Sequence, residues 1–165
     1  MNLPLPPLHI ALLEPEIPPN TGNIARLCAA TRCRLHLVGR LGFRIDDKAL
    51  RRAGVDYWSE VDLHQHRTLD TLWEALPLSR FVYVETTGEE RYTHFAWQPG
   101  DCLVFGRETK GLPPELIRAN PGRTVRIPMA NSAIRSLNLA NSVAIVLFEA
   151  LRQLEERCGD AGQEG

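Results

Sequence analysis

The sequence predicts an α/β domain built on a largely parallel sheet. Short apolar runs that can be buried on both faces alternate with helical periodicities, and polar, Gly-containing segments follow several of those runs. A long apolar helix near the C-terminus completes the pattern. In such sheets the ligand site lies in the loops beyond the strand C-termini.

The elements follow in chain order. Leu8 to Glu14 is an apolar run bounded by prolines and predicts a buried strand, after which Pro15, Pro18 and Pro19 force an extended loop. Ile24, Leu27, Cys28 and Thr31 recur at helical spacing, so a helix is expected from about Asn20, whose side chain can cap it. Leu35 to Val38 is a second strand closed by Gly39. Asp46 and Asp47 precede a short Arg-rich helix ending at Gly54, acids first and bases last, as the helix dipole favours. Thr68 to Leu76 is a further helix. Phe81 to Val84 and Cys102 to Phe105 are buried strands, Pro113 to Ala119 is a helix with proline in its first turn, and Thr124 to Ile127 is one more strand. Leu137 to Leu154 is a long helix whose apolar residues, among them Val143, Ile145, Val146, Leu147, Phe148 and Leu151, cover most of its circumference and need cover on several sides.

With 165 residues, 44% hydrophobic and 24% charged, the chain suits one compact domain over residues 1–158, with 159–165 expected as a disordered tail. A net charge of −1 argues against a uniformly basic nucleic-acid binder but leaves room for a local basic patch. No apolar run reaches the roughly 18 to 20 residues of a membrane span, and the opening stretch lacks a basic leader, so a cytoplasmic chain without membrane attachment is expected.

Cys28, Cys33, Cys102 and Cys158 form no C-x-x-C pair and have no histidine at a matching offset, so no metal site is expected. Cys28 and Cys102 fall where reduced cysteines pack as small hydrophobes. His64 and His66, two apart, would share one face of a strand, whereas His9, His36 and His94 are isolated in the sequence. Common enzyme signatures are also missing. The glycines are never two apart, which excludes G-x-G-x-x-G. Gly106 to Gly111 has Walker spacing but is followed by Leu112 and Pro113, and no serine sits in a nucleophile elbow.

Three loops are unusually polar. The first, Pro18-Pro19-Asn20-Thr21-Gly22-Asn23-Ile24-Ala25-Arg26, is either a phosphate-binding turn or a plain helix start with Arg26 on a solvated face. The second, Gly106-Arg107-Glu108-Thr109-Lys110-Gly111, sets an acid between two bases, which an ordinary surface turn before a helix would also do. In the third, Ser136 begins a helix and Asn138 and Asn141 fall at i and i+3, where buried-facing asparagines must bond something and a simple cap is the alternative.

Taken together, EPEIPPNTGNIARLCA, RRAG, LVFGRETKGLP, RIPM and SLNLAN resemble, in order and spacing, the three-motif pattern of the SPOUT class of RNA methyltransferases. In particular the chain resembles the small single-domain members of the TrmL (YibK) type, which 2′-O-methylate the wobble nucleotide of tRNA, and the similarity runs from about Leu8 to Leu154. The resemblance implies a C-terminal trefoil knot, a homodimer, S-adenosylmethionine as methyl donor and the tRNA anticodon stem-loop as partner. One departure is a slightly longer loop, NSAIR, between Met129 and Ser136.

The chemistry of the residues is compatible with that resemblance. Adenine needs an apolar slot edged by backbone hydrogen bonds, which the strand ends near Val84, Gly106 and Ile127 can supply, and the family pattern points to the same positions. Ser136 at a helix start can help hold the cofactor's carboxylate. The resemblance puts Arg26 nearest the reacting hydroxyl, but a guanidinium is a poor base at neutral pH, so a role in orienting ribose and phosphate is expected. Asn20, Glu108 and Asn138 are expected to support it. Between Arg26 and Gly54 stand eight basic residues (Arg26, Arg32, Arg34, Arg40, Arg44, Lys48, Arg51, Arg52) and two acids, an expected phosphate-binding patch. Phe43, Tyr57 and Trp58 are candidates to stack on an unpaired base, though aromatics also serve as core. An RNA-binding module of the same fold without chemistry is the alternative to an enzyme.

Overall fold

The computed structural model describes residues 3–46, 48, 52 and 55–160. Its strands are β1 (His9–Leu13), β2 (Arg34–Val38), β3 (Leu63–His66), β4 (Phe81–Val84), β5 (Glu90–Arg91), β6 (Cys102–Phe105) and β7 (Thr124–Arg126). Its helices are α1 (Pro18–Thr31), α2 (Leu69–Ala75), α3 (Pro114–Arg118) and α4 (Leu139–Asp160), with a 3₁₀ turn at Val55–Glu60. The strands form one seven-stranded sheet in the order β3-β2-β1-β6-β4-β7-β5, and every pairing between them is parallel.

The four inner apolar runs, β1, β2, β4 and β6, are buried on both faces, as a parallel sheet between helices requires. Alternate side chains divide between two cores. Ile10, Leu12, Leu35, Leu37, Val82, Leu103 and Phe105 pack with Ile24 and Cys28 of α1 and with Val143, Val146, Leu147, Leu151 and Leu154 of α4. Ala11, Val38, Phe81, Tyr83, Cys102 and Val104 meet Leu72 and Leu76, at α2 and its end, on the opposite face. A capping box between Thr68 and Thr71 starts α2.

Several boundaries differ from expectation for local reasons. Helix α1 begins at Pro18, with Ile17 as N-cap and no side-chain cap, because the two prolines lack N–H groups and fit a first helical turn. Asn20 is therefore inside the helix, 7% exposed, and its side chain is free for tertiary contacts. The expected Asn20 cap is thus corrected. Helix α4 starts at Leu139, so Ser136 and Leu137 precede the helix. It continues to Asp160, so Gly159 and Asp160, placed in the expected tail, are helical. Strands β3 and β5 carry too few apolar residues to be predicted from periodicity. The Arg-rich helix expected before Gly54 falls on residues outside those described, apart from Lys48 and Arg52.

Histidines that are isolated in the sequence meet across the sheet. His9, on β1, and His36, on β2, share a hydrogen bond of 3.0 Å, and His36 shares another of 2.9 Å with His66 on β3. His64 binds Asp62 at 2.6 Å, and Asp62 also accepts from Arg34 Nε at 2.6 Å. His36 uses both ring nitrogens in this ladder, which suits neutral imidazoles that donate once and accept once. Burial, reinforced by the Arg34 charge, pushes His9 down to about 4. Burial and the flanking His9 and His66 push His36 down to about 3.

A histidine held below its unfolded pKa contributes stability that is whole above about 6.5 and is lost as pH falls from there toward the folded value. Urea unfolding should therefore show a loss of about 2 to 3 kcal/mol between pH 7.5 and 5.5 from His9 and His36 together. The double variant His9→Leu/His36→Leu should flatten that slope; a wild-type slope unchanged by the replacement would remove the ladder as its cause.

Candidate functional site

Loops at the C-terminal ends of β1, β4, β6 and β7 line a half-open cavity of about 470 Å³. Its wall includes Val84, Gly106, Ile127 and Ser136, the residues expected around a cofactor. Val84 ends β4, Gly106 follows β6, Ile127 follows β7, and Ser136 lies in the exposed stretch before α4. Phe105, Met129 and Leu139 add apolar surface, so an adenine ring has flat apolar contacts and nearby backbone edges. Ser136 contributes from a pre-helical segment, which corrects its expected place at a helix start.

Close backbone contacts shape this cavity. A Cβ on Gly106 would lie 2.0 Å from the Gly111 carbonyl carbon. The turn is closed by Gly111 N–H donating to the Arg107 carbonyl at 2.8 Å. Gly111 has φ +64°, and a Cβ there would meet the Glu85 carboxylate at 2.3 Å. That carboxylate accepts from Leu112 N–H at 2.8 Å and from Thr86 N–H at 2.8 Å, tying the end of β4 to the turn.

Three residues widely separated in sequence form one hydrogen-bonded row at the cavity's edge. Asn138 Nδ2 donates to Asn20 Oδ1 at 2.9 Å, and Asn20 Nδ2 donates to Glu108 Oε1 at 3.4 Å. Glu108 also accepts from the backbone N–H groups of Glu16, at 2.9 Å, and Ile17, at 3.0 Å. The Glu108 carboxylate thus receives the two N–H groups just ahead of α1, where a negative charge suits the helix dipole. Asn138 is also the cap of α4, since its Oδ1 accepts from Asn141 N–H at 3.2 Å. The two readings of Asn138, cap and site residue, are both realised.

Sequence reasoning missed the acids that reinforce this row. Glu16 accepts from Thr109 Oγ1 at 2.7 Å and from Thr109 N–H at 3.3 Å, and the hydroxyl bond holds its carboxyl below the usual range. Glu14 pairs with Arg107 at 2.6 Å. The visible signal was the pair of acids directly after the first apolar run, but their partners lie more than ninety residues further along the chain.

Arg26 stands apart from the row. It is exposed on α1 and lines a second hollow of about 910 Å³ between α1 and the start of α4, not the 470 Å³ cavity. Asn20 and Asn138 line both spaces and form the wall between them. The guanidinium carbon of Arg26 lies 4.9 Å from the Tyr57 ring centroid.

The expected single basic patch is corrected. Arg32 caps α1 in a left-handed conformation with φ 56°, and Arg34, at the start of β2, is paired with Asp62, so both stand at the end of the sheet away from the cavity. Arg40 follows the other end of β2, in a loop pinned to the β1–α1 connection by Gly42 N–H donating to the Pro15 carbonyl at 2.9 Å. Arg44 pairs with Asp46, and Arg51 lies outside the described residues. Consecutive position in the chain does not give one face, because a parallel strand carries its ends to opposite sides of the sheet. Of the three aromatics, Trp58 packs against the core, Phe43 is half-buried and Tyr57 is 45% exposed.

Gly106→Ala should abolish ligand binding in the cavity and lower the melting temperature, since backbone must move to admit the methyl group. Calorimetry with S-adenosylmethionine and a thermal melt test this; wild-type affinity in the variant would show that the contact is relieved without cost.

The SpoU rRNA Methylase family matches residues 7–148 of the chain. The tRNA (cytidine(34)-2′-O)-methyltransferase of Burkholderia pseudomallei is 49% identical over 148 residues, covering 88% of this chain and 94% of that protein. The protein of the same name from Methylovorus glucosotrophus is 49% identical over 145 residues, with 87% and 94% covered. A solved structure described for the 2-OH methylation of C/U34 on tRNA superposes with a TM-score of 0.86 at 43% identity, over 90% of this chain and 97% of that one. The methyltransferase AviRb of Streptomyces viridochromogenes, in complex with AdoMet, has a TM-score of 0.76 at 26% identity, over 88% of this chain and 59% of that one.

Proposed function

The chain belongs to the SpoU rRNA Methylase family, and from that premise we propose that it transfers a methyl group from S-adenosylmethionine to the ribose 2′-OH of the wobble nucleotide, cytidine or uridine 34, of tRNA. The observation that carries this reading is the row Asn20–Glu108–Asn138, hydrogen-bonded across 88 and 118 residues of sequence and standing between a cofactor-sized cavity and an open hollow. A module that only bound RNA would have no use for a second, cofactor-sized cavity beside the hollow. That feature favours the enzyme over the binding module.

The residues present fit the cofactor. Val84, Gly106 and Ile127 would hold its adenine and Ser136 its methionine end, with the longer 130–135 loop leading into Ser136. S-adenosylmethionine would supply a methyl group already activated on a sulfonium, its sulfur leaving as a neutral thioether while the 2′-OH proton passes to solvent or the bound RNA, so transfer depends on positioning and needs no metal. In the row, Asn20 and Asn138 each spend one carboxamide N–H on the contacts described, leaving a second donor at the wall between the two spaces. Those donors orient the ribose oxygen, while Glu108 keeps the Asn20 carboxamide from turning. Arg26, cationic and in the open hollow, holds the ribose and phosphate of the anticodon stem-loop.

Nucleotide-resolved mapping of tRNA incubated with the protein and S-adenosylmethionine should show a new 2′-O-methyl group at the wobble position. Arg26→Ala should lose transfer while keeping cofactor affinity, and Arg26→Lys should be nearly as poor, because lysine lacks a planar fork. Wild-type turnover in either variant would take Arg26 out of the mechanism.

The same reading includes a homodimer. Ile145 and Phe148 are 37% and 50% exposed on α4, on the side turned away from its core stripe. A second copy covering that face would also enlarge the surface offered to a folded tRNA. The trefoil knot belongs to the same reading. Among the described residues no helix is long and apolar enough to cross a membrane, and a tRNA substrate assigns the activity to the cytoplasm. Light scattering at micromolar concentration should give twice the 18.5 kDa chain mass, and Phe148→Glu should shift it to the monomer. A fully active wild-type monomer would refute the dimer.

A further inference from the structure

Arg26 is an exposed arginine with a flexible stem, yet its recorded contact among the described residues is an aromatic face and not a carboxylate. Glu60 lines the same hollow without pairing with it. The ring belongs to Tyr57, in the 3₁₀ turn Val55–Glu60, and that turn is anchored by Trp58, which packs against the main core. A guanidinium resting on a ring at 4.9 Å is held by the ring's negative face. Its in-plane N–H donors remain available for a phosphate or ribose oxygen. An acid would have neutralised the charge and occupied those donors; the ring restrains the side chain and leaves its hydrogen-bonding edge free.

We propose that Tyr57 is the positioning residue for Arg26, holding its guanidinium in the hollow beside the Asn20–Asn138 wall so that it meets the incoming tRNA already oriented. The inference rests on the proposed function and adds to it a residue outside the three motif loops. Tyr57 then acts through Arg26, and the ring matters while the hydroxyl does not.

A double-mutant cycle tests this, with single-turnover methyl transfer and tRNA affinity measured at saturating S-adenosylmethionine for wild type, Tyr57→Phe, Tyr57→Leu, Arg26→Ala and Arg26→Ala/Tyr57→Leu. Tyr57→Phe should match wild type, and Tyr57→Leu should lose about 2- to 5-fold, the range of a cation–π contact at an exposed site. In the Arg26→Ala background, where transfer is lost, Tyr57→Leu should cost no further tRNA affinity, and cofactor affinity should be unchanged throughout. Multiplicative losses would mean that the ring touches RNA on its own account and would overturn the proposal, as would a Tyr57→Phe variant as poor as Tyr57→Leu. Should Tyr57→Leu fail to fold, the Arg26 Nε–Hε NMR signal decides: it should carry a ring-current shift in wild type and Tyr57→Phe, and ordinary values there would overturn the proposal. A wild-type chain that neither binds nor methylates tRNA would overturn the proposed function itself, whereas an active wild type with additive losses overturns only the role of Tyr57.

Discussion

A single carboxylate ties the functional end of this molecule together. Glu108, carried on the turn after β6, accepts the two backbone N–H groups that open the way into α1 and the side chain of Asn20 within that helix. Those N–H groups, of Glu16 and Ile17, lie ahead of the first turn of α1, where no helical carbonyl can accept them. Leaving them unbonded would cost about 1 to 3 kcal/mol for each that is withdrawn from water. Their satisfaction by Glu108 fixes where the turn after β6 can lie, and Glu16 with Thr109 repeats the connection in the opposite sense. Asn20, so held, is in place to receive Asn138 and orient the start of α4.

The sheet provides the rigid floor for that arrangement. Parallel strands buried on both faces put the ends of β1, β4, β6 and β7 side by side, so loops far apart in the chain emerge together. Close packing then sets the cavity's outline. Gly106 and Gly88 each approach neighbouring backbone so closely that a Cβ would overlap it, at 2.0 and 2.4 Å. A site built this way combines backbone proximity with a mixed lining of apolar and polar side chains, which suits a ligand that has both an apolar ring and hydrogen-bonding edges.

Helix α4 serves two purposes with two faces. Val143, Val146, Leu147, Ala150, Leu151 and Leu154 seal the main core, while Ile145 and Phe148 remain toward solvent. The histidine ladder at the other side of the sheet shows a different economy: three imidazoles satisfy one another where an apolar residue would have been the simpler choice. Buried polar groups of this kind are tolerated when they are hydrogen-bonded, and here burial holds His9 and His36 neutral.

Much of the fold was legible from sequence because its determinants are local. Apolar runs of strand length marked β1, β2, β4 and β6, and the 3.6-residue stripe marked α4, since burial on a given face requires that periodicity. Strand ends, a helix start and the family resemblance pointed to Val84, Gly106, Ile127 and Ser136, and these line one cavity. What periodicity could not supply was everything that depends on a partner distant in the chain. That Asn20 is a buried tertiary donor and no cap, that Glu108 closes a helix entrance more than ninety residues before it, and that His9 finds His36 all follow from strand order and register. The basic cluster shows the same limit in reverse: charges adjacent in sequence were separated by a strand that carries its two ends to opposite sides of the sheet. The sequence by itself determined the elements and the chemical character of the loops; only the tertiary structure decided which polar groups meet, because a hydrogen bond is specified by position in space and carries no signature in either partner's neighbourhood.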